Sequence, residues 1–113
     1  MKIHGNHPIL IVDDEATVAE TTRRHLSIRF PGIEILTCTD AEIALQVVSA
    51  TDVGVLRCDL CMPGRSGTEV LAEASRRNPH VVSILVTGYA TKEAVIEAVN
   101  EGNAWKVVEK PWN

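Results

Sequence analysis

Five polar side chains stand where apolar runs end in this chain of 113 residues. Asp13-Asp14 follow "ILIV", Asp59 follows "VGVLRC", Thr87 follows "VVSILV" and Lys110 follows "KVVE". A carboxylate at a strand end can form a turn, bind a metal or act as a nucleophile. Three carboxylates gathered in one crevice repel one another, and a hard divalent cation relieves that repulsion. Mg²⁺ favours oxygen ligands, commonly one or two carboxylates with waters and phosphate oxygens. The formal charges close: Asp13, Asp14 and Asp59 give −3, while Lys110 (+1) and Mg²⁺ (+2) return the site to zero. A neutralised site with an open coordination position suits a phosphoryl group, whose transfer depends mainly on positioning and charge stabilisation. A carboxylate nucleophile would then yield an acyl phosphate.

Elements that would bring these residues together alternate along the chain. "PILIV" (8–12) is a short continuous apolar run, the pattern of a strand buried on both faces. A helix follows from Glu15 to Arg29, with Val18, Thr22, Leu26 and Arg29 at helical spacing and Pro31-Gly32 to stop it. A strand over 33–38 leads to a helix capped by Asp40, with Ile43, Ala44, Val47 and Val48 assigned to its apolar face. Next come a strand over 53–58, a Pro-Gly loop and a helix over 67–78. That helix opens on the capping box Ser66-x-x-Glu69 and ends at Asn78-Pro79. "VVSILV" (81–86), a helix from Thr91 to Glu101 carrying Val95, Ile96 and Val99, the stop at Gly102 and the short strand "KVVE" complete the pattern. Strands alternating with helices predict βαβ units, and so a parallel sheet with right-handed crossovers. Ligands of such sheets sit outside the carboxyl ends of the strands, where all five polar residues fall.

Composition excludes several classes. The formal charge of −4, from 11 basic and 15 acidic residues, offers no polyanion-binding surface, so direct nucleic-acid binding is not expected. No apolar run approaches the roughly 20 residues of a membrane helix, and the polar start "MKIHGNHP" does not read as a signal peptide. Three cysteines without an export signal indicate reduced thiols and a cytoplasmic location. Cys58-x-x-Cys61 has the spacing of a zinc or redox half-site, but no second pair exists and Cys58 reads as core. His4-x-x-His7 lies in residues 1–7, expected to be a flexible N-terminus, and "RRHL" (23–26) reads as a solvated face of the first helix.

"ILIVDDE", "CDLCMPGRSG", "VTGYA" and "EKPW", in this order and spacing, resemble the receiver domain of bacterial two-component response regulators. The resemblance runs from Pro8 to Trp112, making residues 1–113 a single receiver domain. It implies an α/β fold of the flavodoxin-like, doubly wound kind, with five parallel strands in the order 2-1-3-4-5. Asp59 would be the phosphoacceptor, receiving its phosphoryl group from a sensor histidine kinase or phosphotransfer protein. Asp14 would bind Mg²⁺ (or Mn²⁺) directly and Asp13 largely through water, with Asp59 and the backbone carbonyl of Cys61 completing the protein ligands. Thr87 would hydrogen-bond the phosphoryl oxygen, Lys110 would pair with it, and Gly88 would keep the approach open. The Lys110-Pro111 bond would be cis, and Cys61 and Tyr89 would tune phosphoryl lifetime. Such a domain is not an enzyme beyond self-phosphotransfer and autodephosphorylation. Phosphorylation would alter the surface of helix 4 and strand 5, read by an output domain or partner protein.

Two departures from the family pattern stand out. Val107 occupies a position usually held by Tyr or Phe, with Trp105 and Tyr89 as the nearby aromatics. The chain also ends at Asn113, where the family continues into a fifth helix; a truncation there would bare apolar surface and invite homodimer formation. A flavodoxin-like FMN protein would need a Ser/Thr/Gly-rich phosphate loop where "DDEAT" stands, and a haloacid-dehalogenase phosphatase would need Asp-x-Asp after strand 1. The remaining rival is a pseudo-receiver, the same fold used as a protein-interaction module without phosphorylation.

Overall fold

The computed structural model describes residues 7–88 and 90–110. The expectations for His4, Tyr89, the Lys110-Pro111 peptide and Trp112 fall outside that set. Among the described residues nine elements alternate strictly: β1 (Ile9–Val12), α1 (Ala16–Arg29), β2 (Ile35–Cys38), α2 (Ala41–Ala50), β3 (Val55–Asp59), α3 (Gly67–Arg77), β4 (Val82–Thr87), α4 (Lys92–Asn100) and β5 (Lys106–Glu109). All strand pairs are parallel, in the order β2-β1-β3-β4-β5. This is the doubly wound sheet predicted from the sequence, with β3 central and the switch in strand order between β1 and β3.

Period-2 alternation divides the strands between two faces. Leu10, Val12, Cys38, Leu56, Cys58 and Leu85 join Ala44, Leu45 and Val48 of α2 and Val70, Leu71 and Ala74 of α3 in the main core. Ile11 and Val86, also buried, belong to the opposite face, where α1 packs on β1 and β2 with Ala19 as its buried residue. Arg77, at the end of α3, clamps α3 to α2: its Nη1 donates to the Leu45 carbonyl (3.0 Å) and to Ser49 Oγ (3.1 Å).

The predicted caps are present. Asp40 accepts the backbone N–H groups of Glu42 and Ile43, and Ser66 and Glu69 complete a reciprocal capping box. Helix phase differs from expectation in two places. In α2 the buried stripe is Ala41, Ala44, Leu45 and Val48, so Ile43 points outward and is 53% exposed. Both stripes have helical spacing, and only contact with the sheet selects between them. In α4 only Ala98 is buried, while Ile96 and Val99 are exposed, because this helix packs along β5 at the sheet edge. The Val18–Thr22–Leu26 stripe of α1 is half-buried and faces a groove instead of the core.

Candidate functional site

The parallel register sets the site. Val12 pairs with Cys58, so Asp13, one residue on, comes level with Asp59 at the end of β3. Asp13, Asp14 and Asp59 each offer a carboxylate oxygen within 4.8 Å of the others. Asp13 is 1% exposed, Asp59 is buried and Asp14 faces solvent. The Asp13 Oδ1 atom accepts the Glu15 N–H at 2.9 Å, which turns the chain from β1 into α1. Its Oδ2 atom is buried without a hydrogen-bond partner among the described residues. Lys110 Nζ lies 3.8 Å away.

Asp59 is held from two sides. Its Oδ1 accepts the Cys61 N–H at 3.1 Å, and its Oδ2 accepts Lys110 Nζ at 2.7 Å. Lys110 follows β5, so its side chain reaches across the end of β4 to β3. The Lys110 N–H donates to the Thr87 carbonyl at 2.6 Å, anchoring that reach. Burial by itself would lower the Lys110 pKa, but the hydrogen bond to Asp59 and the charges of Asp59 and Asp13 outweigh it, leaving the ammonium above its ordinary value. Thr87 is buried at the end of β4, level with this pair, and position 88 borders open space. Asp13, Asp14, Asp59 and Lys110 therefore converge on one crevice, and Thr87 ends the strand between Asp59 and Lys110.

The loop behind Asp59 is built by its glycines. Gly64 has φ +84°, a conformation that disfavours any side chain. Gly67, at the start of α3, donates to the Leu60 carbonyl at 2.7 Å. A Cβ there would stand 2.3 Å from the Asp59 carbonyl oxygen, so the helix can approach β3 only without a side chain. Cys58 is core, as expected: burial, with the Asp59 and Asp13 charges, pushes its thiol up to about 12. It is therefore no thiolate ligand. Cys61 is exposed.

Two contributors escaped the sequence reading. Gly67 was hidden in a loop motif, and its signal was a glycine at the first position of a capped helix. Arg57 was read as part of an apolar strand, although a charge in a strand expected to be buried on both faces was itself the signal. At the edge of the sheet, Val107 packs against the core and Trp105 is 69% exposed.

The donor set suits a divalent cation: all oxygens, largely anionic, with one buried carboxylate oxygen that accepts no hydrogen bond among the described residues. Fold and acidic crevice together define a two-component receiver. Residues 9–113 match the response regulator receiver domain, and the chain belongs to that family. The hydrogenase transcriptional regulatory protein HoxA of Cupriavidus necator is 36% identical over 104 residues, covering 92% of this chain and 21% of that protein. The chain thus spans well under two thirds of the length of such relatives. A CheY-like receiver domain protein from Methanospirillum hungatei has a TM-score of 0.86 at 31% identity, over 95% of this chain and 83% of that one. A response regulator from Burkholderia pseudomallei, solved with a phosphorylated aspartic acid, a calcium ion and citrate, has a TM-score of 0.85 at 27% identity, over 95% and 61% of the two chains. Receiver domains are signalling modules, working with histidine kinases and output domains. No helix among the described residues is long and apolar enough to cross a membrane.

Proposed function

We propose that this chain is a phospho-accepting switch in which Asp59 takes a phosphoryl group from a phosphohistidine on a sensor kinase or phosphotransfer protein in the cytoplasm. The observation that carries this reading is the seating of Asp59, with one oxygen on the Cys61 N–H, the other on Lys110, and the unpartnered Asp13 Oδ2 in the same crevice. An Asp59 carboxylate oxygen attacks phosphorus; the O–P bond forms as the N–P bond breaks. The electron pair of that bond leaves with the donor imidazole, which departs neutral with its other nitrogen protonated. Lys110 stays beside the new phosphoryl oxygens, and the Thr87 hydroxyl donates to one of them. Mg²⁺, or Mn²⁺ in its place, would be held by Asp13, Asp14, Asp59 and the Cys61 carbonyl, and when bound supplies positive charge to the phosphoryl oxygens.

Thr87 opens the loop into α4, so a hydroxyl drawn toward the phosphoryl group reorders that loop and the α4–β5 surface. Ile96, Val99 and Trp105 are exposed there and offer apolar contacts to an output domain or partner protein. Amide NMR with Mg²⁺ and then beryllofluoride, beside Asp59→Asn, tests the proposal. Shifts around Asp14 and Asp59, followed by changes across 87–108 that require Asp59, are expected. A folded protein with neither response would overturn it. Val107, packed on the core in place of an aromatic ring, favours a phosphorylation-independent interaction module as the second reading.

A further inference from the structure

Arg57 lies on the same face of β3 as Asp59, one pleat below it, because residues two apart on a strand point the same way. In the register it sits between Ile11 of β1 and Ile84 of β4, the interior of the sheet. Asp13 follows Ile11 on that same face. Position 57 thus lies one pleat below the two buried carboxylates. It is half-buried and forms the sheet side of a groove of about 400 Å³, whose other side is α1 at Thr17, Thr21, Thr22 and His25. Its charge is felt throughout the site. Burial lowers the Arg57 pKa while Asp13 and Asp59 push it back up, and Arg57 in turn acts against the charge on Lys110. A guanidinium stays protonated in proteins.

We propose that Arg57 is a fixed counter-cation beneath the acidic crevice, which holds Asp13 and Asp59 together without metal and limits how tightly a divalent cation binds above them. Lys110 also pairs with these carboxylates, 2.7 Å from Asp59 and 3.8 Å from Asp13, but it reaches them from β5, whereas Arg57 stands on β3 itself. Arg57 is anchored mid-strand and cannot leave. It acts on the site through the charges of Asp13 and Asp59. The inference rests on the divalent-cation reading of Asp13, Asp14 and Asp59.

The experiment is cation affinity in the whole chain, measured for Mg²⁺ and for Tb³⁺ in the wild type, Arg57→Gln, Arg57→Met and Arg57→Lys. Loss of the charge should tighten Mg²⁺ binding by about three- to tenfold. The gain should be larger for Tb³⁺, because a Coulombic effect scales with ion charge, and smaller at high salt. Arg57→Lys should stay near wild type. A purely structural Arg57 would give affinity changes that do not follow ion charge and that Lys does not rescue; that result overturns the inference. So does unchanged affinity in a folded Arg57→Gln, the variant that keeps polarity if Arg57→Met does not fold. A wild-type chain that binds both cations but takes no phosphoryl group would sink the switch and leave this inference standing.

Discussion

Lys110 and Cys58 both hold their protons more tightly in the folded chain, which gives the domain an alkaline weakness. The unfolded thiol ionises near 9.0, whereas the buried one holds on to about 12. Stability linked to Cys58 is therefore complete below pH 9 and falls as pH rises above it. The raised Lys110 acts in the same direction, from about pH 10.4 upward. Urea denaturation across pH 8 to 11 should show falling stability from about pH 9, with a shallower fall in Cys58→Ala whatever its starting stability. Asp13 makes the opposite kind of prediction. Replacing it by Asn removes a like charge and keeps the Oδ1 acceptor for Glu15. The metal-free domain should then gain about 1 kcal/mol in urea melts, while Mg²⁺ no longer adds stability. A loss of metal-free stability would mean that Lys110 and Arg57 attract the Asp13 charge more than Asp14 and Asp59 repel it.

Among the elements, α3 is the most exactingly joined to the site. Ser66→Ala should cost about 1 kcal/mol by removing one half of the capping box. Gly67→Ala should cost more than 2 kcal/mol, since its methyl meets the Asp59 carbonyl and Leu60 backbone. Chemical denaturation of the two variants checks the order; a milder effect at position 67 would mean that α3 can slide. Ile43→Gln, on the exposed side of α2, should stay within about 0.5 kcal/mol. The sequence made the strands legible because their apolar runs are bounded by turn residues, and it made α3 legible through Ser66, Glu69 and Asn78-Pro79. Asp13, Asp14, Asp59 and Lys110, which the structure brings together, were legible because each closes an apolar run. Helix phase was less legible: Ile43 and Leu45 are equally apolar, and the choice between them depends on the sheet beneath. Arg57 needed the register as well, since only strand order puts position 57 under Asp13 as well as Asp59.

At the scale of the whole molecule, the acidic crevice and the proposed readout surface lie at different places on one sheet. The crevice is at the strand ends, while Ile96, Val99 and Trp105 lie along the α4–β5 edge. Trp105 is an internal probe of their coupling. In a Trp112→Phe background, Mg²⁺ with beryllofluoride should change Trp105 emission, and Asp59→Asn should abolish the change. Silence of Trp105 with an occupied Asp59 would place the readout elsewhere. The strand order also has a kinetic consequence. Asp13 and Asp59 become neighbours once β3 docks on β1, yet Lys110 is 51 residues beyond Asp59 and arrives only with the outermost strand. A folding chain that has assembled β2, β1 and β3 thus carries converging negative charges before its mobile cation is in place. That field should draw β5 in, so closing the sheet would also complete the crevice, and low salt should speed it.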